Sequence, residues 1–378
     1  MSPASHASPR TEAPRILHIV ASGGLYGIER MLLALLPELR ARAWDAELAC
    51  LGVRGRPGAE VGAAAAALGV PVRYARFARG ADPRGMLDLV RLVVGARPDV
   101  LHLHGYKATI LAAPLGLVRG IPTVGTLHAE AKQAVGVGAY VTLEGYALRR
   151  MRRLAAVSDA IRDELVSRGV PPDRIEVVPN GITGPAANGV RPAGSRDGPT
   201  VVAVGRLIPE KNVEVLLEAV RRLRGEFPGI RLLVAGDGPL RDLLAGRARD
   251  LGIAEAVTFL GYVDDVPALL AAADCFVLPS RTEGMPISLL EAMACGAAIV
   301  ASRVGGIPGI ARADREALLV PPGDLEDLTG ALRRVLGDRE LAARLGAGAR
   351  ERFLCEYTAA RMAERYVAFY RGVADPNR

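Results

Sequence analysis

Hydrophobic positions along the chain follow two alternating periods. Short apolar runs such as RILHIV (Arg15–Val20) and TVVAV (Thr200–Val204) have the length and composition of buried strands, and apolar residues at helical spacing follow them. A glycine-rich loop, ASGGLYG (Ala21–Gly27), separates the first strand from the first helix, Ile28–Arg42. Strands that alternate with helices predict parallel sheets covered by helices on both faces.

The same alternation continues to the end of the chain. In the first half it predicts strands at Ala46–Leu51, Val72–Tyr74, Asp99–His104, Thr123–Leu127, Arg153–Val157 and Ile175–Val178, and helices at Gly58–Leu68, Pro83–Ala96 and up to Arg119. In the second half it predicts strands at Ile230–Ala235, Val257–Leu260, Cys275–Pro279, Ala298–Ala301 and Ala317–Val320, and helices at Val213–Arg224, Pro239–Leu251, Val266–Ala273 and Pro286–Ala294. Two further helices are expected to end the chain, the last at about Ala359–Gly372.

A segment rich in glycine and proline, TGPAANGVRPAGSRDGP, divides the two series of elements and is typical of a linker. The predicted architecture is α/β, with two doubly wound Rossmann-like domains facing across a cleft. Its expected parts are a flexible tail at 1–14, a first domain at 15–182, the linker at 183–199, a second domain at 200–358 and a terminal helical segment at 359–378. Ligands of open parallel sheets bind where strands end, so the loops after strands are the expected sites of chemistry.

Composition excludes several classes of protein. The 378 residues are 50% hydrophobic and 24% charged, which excludes wholesale disorder. The four cysteines are far apart and form no metal-binding spacing, so we expect free thiols in a reducing compartment. The first 14 residues lack the apolar core of a signal peptide, and no uncharged apolar run is long enough to cross a membrane. These features predict a cytoplasmic protein, attached at most to the inner face of the plasma membrane.

Charge is unevenly distributed along the chain. Residues 1–185 carry 23 basic and 16 acidic side chains, a net charge of +7, whereas residues 186–378 are neutral. A basic first half favours a partner of negative charge. The segment LRRMRRL (Leu148–Leu154) fits contact with anionic lipid headgroups, or equally a solvated helix end. Aromatic residues make up only 4% of the chain, too few for a surface that stacks nucleic-acid bases.

Two loops have features of phosphate sites. Ser22–Gly27 reads S-G-G-x-x-G, which allows close approach of a phosphate to the backbone but is equally typical of a structural turn. In GRLIPEKN, Arg206 and Lys211 bracket a proline turn after a strand. Two cations so placed can converge on one diphosphate, each contributing roughly 4 kcal/mol at about 4 Å and an effective dielectric constant of about 20. The alternative is a pair of solvated side chains.

The segment SRTEGMPISLLEAMACG combines two carboxylates with a helix N-terminus. Glu283 lies on the loop after a buried strand, and Glu291 lies eight residues later on the helix. The backbone N–H groups of Met285, Ile287 and Ser288 are predicted to form an anion site at the helix N-terminus. Glu291 is suited to a ribose diol and Glu283 to a sugar. The alternative is a helix-stabilising Glu283 and a surface Glu291, but the apolar neighbours of Glu291 favour an inward-facing acid that needs a partner.

Six segments together resemble a known family in order and spacing: GGLYGIERML, VVPNGI, VGRLIPEKN, VAGDGP, FLGYVDD and LPSRTEGMPISLLEAMACGAAIVAS. They are similar to the motifs of the retaining glycosyltransferases of GT-B fold in glycosyltransferase family 4, and the resemblance covers most of the chain. Enzymes of this kind move a sugar from a nucleotide diphosphate to an acceptor hydroxyl with retention of the anomeric configuration.

The resemblance implies a role for each motif. Arg206 and Lys211 would bind the diphosphate of the donor, Glu291 its ribose, and Glu283 with the N–H groups of Met285, Ile287 and Ser288 its sugar. His128 matches the family's histidine at the donor sugar; otherwise it is a core histidine at a strand end. The glycines of the first loop would approach the diphosphate and two further loops would frame the nucleotide, through Gly24, Gly27, Gly236, Gly238 and Tyr262.

The acceptor and the cofactors are less specified. Acceptor candidates in the first domain are His104, Tyr106, Lys107 and Asn180. The expected acceptor is a glycan, a glycolipid or a lipid-linked molecule, the expected donor is a UDP-sugar on family frequency alone, and no nucleic acid is expected as a partner. No cofactor or metal is implied, because the chain lacks a strand-end Asp-x-Asp pair; Asp264 and Asp265 are adjacent and are predicted to cap a helix.

Two alternatives remain open at this point. One is a nucleotide-sugar 2-epimerase of the same fold, which would need acid–base residues in the cleft and no acceptor. The other is a non-catalytic protein that binds nucleotide sugars, which predicts broken donor loops. Here Arg206, Lys211, Glu283 and Glu291 are all present, which favours transfer.

Overall fold

A computed structural model describes residues 13–21, 24–53, 59–78, 82–128, 138–185 and 198–374. The predicted tail at 1–14 and the predicted linker at 183–199 lie mostly outside the described residues.

The first sheet has seven strands in the order β3-β2-β1-β4-β5-β6-β7. Neighbouring strands from β3 to β5 pair in parallel, with His18 of β1 opposite His102 of β4. The strands are Arg15–Ala21 (β1), Asp45–Val53 (β2), Val72–Phe77 (β3), Val100–His104 (β4), Thr123–Leu127 (β5), Arg153–Ala156 (β6) and Ile175–Val177 (β7). Helices alternate with them: Gly27–Ala41 (α1), Ala59–Ala67 (α2), Pro83–Ala96 (α3), Gly105–Arg119 (α4), Gly138–Leu148 (α5) and Asp159–Ser167 (α6).

The second sheet has six parallel strands in the order β10-β9-β8-β11-β12-β13. Its strands are Thr200–Val204 (β8), Arg231–Ala235 (β9), Val257–Gly261 (β10), Cys275–Leu278 (β11), Ile299–Ser302 (β12) and Leu318–Val320 (β13). The remaining helices are Val213–Leu223 (α7), Arg241–Asp250 (α8), Val266–Ala271 (α9), Ile287–Cys295 (α10), Ile307–Ile310 (α11), Leu325–Gly337 (α12), Arg339–Glu356 (α13) and Ala359–Ala374 (α14).

Burial explains why these segments fold as they do. Every residue of β4 and of β12 is buried, because helices cover both faces of a parallel sheet. Helix α7 shows the matching helical pattern: Leu216, Leu217 and Val220 are fully buried, whereas Arg221 and Arg222 are exposed. These side chains join the apolar residues of the second sheet in one continuous core.

The chain divides into two compact units. One comprises Met1–Thr126, Val135–Ala155 and Tyr366–Arg378, and the other comprises Leu127–Ala134 and Ala156–Arg365. The last two turns of α14 therefore belong to the first unit. No helix among the described residues is both long enough and apolar enough to cross a membrane.

The predicted fold class is confirmed, with two corrections to individual elements. Helices α5, α6 and α11 were not predicted: α5 (GAYVTLEGYAL) has no clear apolar stripe, the apolar face of α6 consists only of Ile161 and Leu165, and α11 is four residues long. Three helices end the chain where two were expected, since an Asp338 cap starts α13 immediately after α12. The Asp338 side chain accepts a hydrogen bond from the Leu341 backbone N–H at 2.9 Å.

Candidate active site

An ion pair joins two loops that the sequence pattern singled out separately. Lys211 ends a 3-10 turn after β8, and Glu283 lies on the loop after β11. The Nζ atom of Lys211 contacts Oε1 of Glu283, and the Ser280 hydroxyl donates to the same oxygen at 2.7 Å. Both side chains are largely shielded from solvent, at 20% and 9% exposure. The predicted diphosphate loop and the predicted sugar loop therefore converge.

The loop after β9 packs directly on the loop that carries Arg206 and Lys211. A Cβ atom on Gly236 would lie 1.9 Å from the carbonyl oxygen of Gly205, and one on Gly238 would lie 2.5 Å from that of Leu207. Gly236 also has a φ of +132°, which side chains rarely adopt. Only glycine permits this approach, so these two residues shape the site through their backbone.

The loop after β10 is tied to the same group of loops. The Gly236 N–H donates to the carbonyl oxygen of Gly261 at 2.7 Å. The adjacent Tyr262 side chain is 52% exposed and so is accessible to a ligand. The Asp265 carboxylate accepts from the backbone N–H of Ala268 at 3.0 Å, which confirms that it caps a helix.

Helix α10 presents its N-terminus where the Glu283 loop ends. Pro286 precedes the first helical residue, Ile287, and no side chain caps this end. Free N–H groups at a helix N-terminus favour an anion. One turn on, Glu291 is 8% exposed, so its carboxylate is not a surface group. Burial, and secondarily this carboxylate, raise the pKa of the Cys295 thiol to about 11.

Arg206 and Lys211 line one small cavity together. The cavity lies between the carboxyl ends of β8 and β11, and Gly205 and Pro279 contribute to its wall. Arg206 is exposed at the start of its loop, whereas Lys211 is partly buried. The two predicted diphosphate ligands thus border the same space.

Two glycines after β12 also belong to the site and were not predicted. The Gly306 N–H donates to the carbonyl oxygen of Glu283 at 3.3 Å. Gly305 has a φ of +51°, and a Cβ atom there would lie 1.7 Å from the same oxygen. Both follow directly from the end of a parallel strand, a signal that could have identified them.

Asn180 lies beneath the predicted sugar loop. It is 3% exposed, its Nδ2 donates to the carbonyl oxygen of Met285 at 3.3 Å, and its backbone N–H contacts the Met285 sulfur at 3.0 Å. Its Oδ1 atom has no hydrogen-bond partner among the described residues. The amide therefore supports the Met285 turn, and the acceptor role of Asn180 stays a prediction.

His128 immediately follows β5 and has a strongly perturbed pKa. Burial lowers the pKa of its imidazole to about 4. The ring is consequently neutral at neutral pH, with one nitrogen as a donor and the other as an acceptor.

The acceptor candidates of the first unit separate into buried and exposed residues. His104 is 1% exposed, its ring stacks on that of His18, and the Nε2 atom of His104 lies 3.1 Å from Nδ1 of His18. The His104 side chain is thus enclosed, and its predicted acceptor role stays a prediction. Tyr106 is 44% exposed and Lys107 is exposed, both in the first turn of α4.

Three imidazoles, those of His18, His102 and His104, form a buried cluster whose ring nitrogens lie within 4.8 Å of one another. Three histidines at this spacing are suited to a metal. However, the two ring nitrogens of His102 already lie 2.7 Å from the Thr126 hydroxyl and 2.5 Å from the Tyr370 hydroxyl. We interpret the cluster as a hydrogen-bonded network that holds α14 on the sheet.

The glycine loop after β1 is only partly described, since Ser22 and Gly23 lie outside the described residues. Gly24 precedes the helix, and Gly27 is its first residue. The Glu29 carboxylate accepts from the Tyr26 backbone N–H at 3.1 Å and so stabilises the start of α1. The predicted donor role of Gly24 and Gly27 stays a prediction.

Two family models match the chain, Glycosyltransferase Family 4 at residues 26–183 and Glycosyl transferases group 1 at residues 191–352. A glycogen synthase of Mycobacterium tuberculosis is 34% identical over 299 residues, which cover 74% of this chain and 71% of that protein. The chain belongs to glycosyltransferase family 4. The protein is accordingly a glycosyltransferase, as its motifs predicted.

Two further relatives bear on this family 4 glycosyltransferase. The UDP-Gal:alpha-D-GlcNAc-diphosphoundecaprenol alpha-1,3-galactosyltransferase of Escherichia coli is 27% identical over 349 residues, 86% of this chain and 89% of that enzyme. The crystal structure of Anabaena Alr3699/HepE in complex with UDP-glucose superposes with a TM-score of 0.83 at 20% identity, covering 95% of this chain and 99% of that one. This likeness confirms the GT-B fold.

Proposed function

We propose that this glycosyltransferase moves a sugar from a UDP-sugar to a hydroxyl group of a glycan, glycolipid or lipid-linked acceptor in cell-surface polysaccharide synthesis, with retention at the anomeric carbon. The observation that carries the proposal is the convergence of Lys211 and Glu283 beside the N-terminus of α10. A UDP-sugar donor is supported by the name of the Escherichia coli relative and by the UDP-glucose in the Anabaena structure.

The donor roles follow from charge and position. Arg206 and Lys211 lie on the same loop after β8 and together offer a diphosphate two cations. Glu291 accepts hydrogen bonds from the ribose hydroxyls, and Glu283 from those of the sugar. Because Lys211 contacts Glu283, one side chain links the diphosphate end of the site to the sugar end.

Charge development explains how these residues accelerate transfer. The bond between the anomeric carbon and the diphosphate oxygen breaks, and negative charge grows on the leaving diphosphate. The acceptor oxygen bonds to the anomeric carbon, and the proton of the acceptor hydroxyl passes to the released diphosphate. Arg206, Lys211 and the N–H groups of Ile287 and Ser288 stabilise that charge without reorganising. A neutral His128 donates a hydrogen bond to a sugar hydroxyl and so orients the reacting carbon.

We further propose that transfer needs no metal or other cofactor. Two fixed cations and a helix N-terminus supply the positive charge that a divalent ion would otherwise contribute. Turnover should therefore be the same in EDTA and in Mg²⁺. A rate that EDTA abolishes and Mg²⁺ restores would contradict this part of the proposal.

On the acceptor side, Tyr106 and Lys107 are the exposed candidates at the carboxyl end of β4. Lys107 suits an acceptor that carries phosphate, and the Tyr106 ring suits the apolar face of a sugar or a lipid chain. An acceptor linked to lipid would place the enzyme at a membrane surface.

The experiment is a donor panel with product analysis. Purified protein is incubated with UDP-, GDP- and ADP-sugars and with lipid-extracted or synthetic acceptors, and release of the nucleoside diphosphate is measured. We expect release from a UDP-sugar that depends on acceptor, and a product whose anomeric proton coupling by NMR matches that of the donor. An inverted product contradicts retention, and epimerised sugar formed without acceptor supports the epimerase alternative instead.

A further inference from the structure

Helix α4 exposes an apolar stripe where a surface helix normally exposes charge. Tyr106 is 44% exposed, Leu117 is 65% exposed and Val118 is 82% exposed, and Pro114 between them is exposed as well. From residue 108 to residue 118 the helix has no charged side chain, and its one hydroxyl, on Thr109, is buried. Exposed apolar side chains that adjoin one another mark an interaction site.

The neighbouring helix extends this surface. Helix α5 packs against α4, and its Leu143 and Tyr146 side chains are each 53% exposed. Both helices connect adjacent strands of the same sheet, so they run in the same direction and their last turns meet at one edge. Leu117, Val118 and Tyr146 therefore lie in the same part of the first unit.

The surface is bordered by cations. Lys107 and Arg119 stand at the two ends of the α4 stripe, and the exposed Arg149, Arg150 and Arg152 follow α5. The Arg150 guanidinium stacks on the Tyr146 ring, 3.3 Å from its centroid. Among the described residues between 100 and 158, the single acidic side chain is Glu144, and it is 2% exposed.

We propose that this α4–α5 face docks on an anionic lipid bilayer. Apolar side chains among arginines and a lysine suit the interface, where rings and aliphatic groups enter the acyl boundary and cations meet headgroup phosphates. A second copy of the chain fits less well, because a symmetric contact would bring like charges together. The proposed function enters this inference at one point only: it explains why docking would be useful, because a bilayer would bring a lipid-linked acceptor to the enzyme.

The direction of the stripe suits that purpose. It begins at Tyr106 and Lys107, directly after the carboxyl end of β4, and runs along the helix to Arg119. A bilayer that lies along α4 thus extends to the edge of the sheet where the acceptor candidates stand. The lipid anchor of an acceptor can stay in the membrane while its head reaches that edge.

Sedimentation with vesicles tests the docking face. Wild-type protein is mixed with vesicles of phosphatidylcholine alone or of phosphatidylcholine with phosphatidylglycerol. We expect binding only to the phosphatidylglycerol vesicles, and weaker binding as salt rises. The double variant Leu117→Ser/Val118→Ser should bind at least tenfold less, whereas Leu243→Ser, an equally exposed leucine of α8 in the second unit, should bind like wild type.

The arginines have a matched control of their own. Arg149→Gln/Arg150→Gln should lower vesicle affinity about thirtyfold, since each lost cation is worth about 1 kcal/mol near an anionic surface. Arg221→Gln/Arg222→Gln, a consecutive exposed pair on α7, should have no effect. Equal binding to both lipid compositions, or equal losses in the two arginine pairs, would overturn the proposal. Self-association of the protein without vesicle binding would contradict the bilayer proposal and would indicate that a second copy of the chain covers this face.

Nucleotide binding separates this proposal from the proposed function. The docking variants should keep wild-type stabilisation by UDP in solution. If wild type binds phosphatidylglycerol vesicles but binds neither UDP nor any donor sugar, the result contradicts the proposed function and supports the docking face. If wild type binds UDP but does not bind phosphatidylglycerol vesicles, the result contradicts the docking face alone.

Discussion

At the scale of single residues, the contact between Lys211 and Glu283 is the part of the proposed donor site that mutation tests most directly. Removing the lysine takes a cation from the diphosphate and leaves the carboxylate of Glu283 with the Ser280 hydroxyl as its described partner. We expect Lys211→Ala to lower kcat/KM by about 10²–10³, the usual cost of losing one group that stabilises a developing anion. Steady-state donor kinetics measure this.

The control for Lys211→Ala is Arg333→Ala. Arg333 forms an exposed ion pair with Glu226 at 2.7 Å, and neither residue belongs to the strand-end loops. Exposed ion pairs contribute little to the free energy of folding. This variant should keep wild-type kinetics. Kinetics within threefold of wild type in Lys211→Ala would remove it from the donor site.

Substitution of Asn180 tests whether its side-chain amide is needed to position the turn at Met285. Asn180→Ala and Asn180→Asp both remove the amide donor to the Met285 carbonyl, and the second keeps the side-chain volume. Losing one buried hydrogen bond costs about 1 kcal/mol, so we expect about a fivefold rise in donor KM in both variants, with a smaller change in kcat. If the aspartate variant keeps the wild-type KM, the amide does not position the turn.

The sequence singled out the charged candidates by their chemistry and most of the backbone candidates, such as Gly236 and Gly238, by resemblance to family motifs. Arg206, Lys211, Glu283 and Glu291 stand out because charges sit on loops or among apolar neighbours. Gly305 and Gly306 were missed because they carry no such chemistry, and their place after a parallel strand is the one signal that the sequence offers. In the structure, an added Cβ would lie 1.7 Å and 2.0 Å from carbonyl oxygens of the opposite loop.

At the scale of secondary-structure elements, α14 is held on the first sheet by aromatic and imidazole groups. The Tyr366 and Tyr370 hydroxyls contact Thr126 and His102, and the Tyr370 ring packs edge-on against His18. Burial lowers the pKa of His18 to about 3, so its ring stays neutral inside the fold. Protonation of this cluster is therefore opposed by the folded state.

This burial predicts how stability depends on pH. Between about pH 6.5 and pH 3 the unfolded chain binds a proton at His18 that the folded chain does not, so stability is complete above that window and falls as pH decreases through it. The contribution of this residue approaches about 1.4 kcal/mol per pH unit. Urea unfolding at several pH values should show a shallower slope in His18→Gln. An unchanged slope would mean that the folded protein binds a proton at His18 as readily as the unfolded chain does.

Elements with a regular pattern could be predicted, and those without one could not. Strand Thr123–Leu127 and helix Pro83–Ala96 have their predicted bounds, because an apolar run or a helical stripe defines each. Helix α5 was missed because it exposes Leu143 and Tyr146, so apolar residues occur around the helix and erase the stripe. The same exposed residues belong to the proposed lipid surface.

At the scale of the whole molecule, charge and chemistry are divided along the chain. The +7 charge falls within the first 185 residues, and the loops proposed to bind the donor cluster in the neutral remainder. We propose that the basic half meets the membrane and the acceptor and that the neutral half binds the nucleotide sugar, a division that would account for both. Activity on a lipid-linked acceptor in vesicles should therefore rise with the phosphatidylglycerol content, whereas donor affinity should not.

The central claim is that the strand-end loops of the second sheet bind a nucleotide diphosphate sugar without a metal. Thermal unfolding in EDTA, with and without UDP and UDP-sugars, tests it most directly in wild type and in Glu291→Ala. At 100 times its dissociation constant a ligand stabilises the fold by about 2.7 kcal/mol, on the order of 5 °C for a unit of this size. We predict that shift in wild type and its loss in Glu291→Ala. No shift in wild type with any nucleotide sugar, or an equal shift in both proteins, would contradict the account.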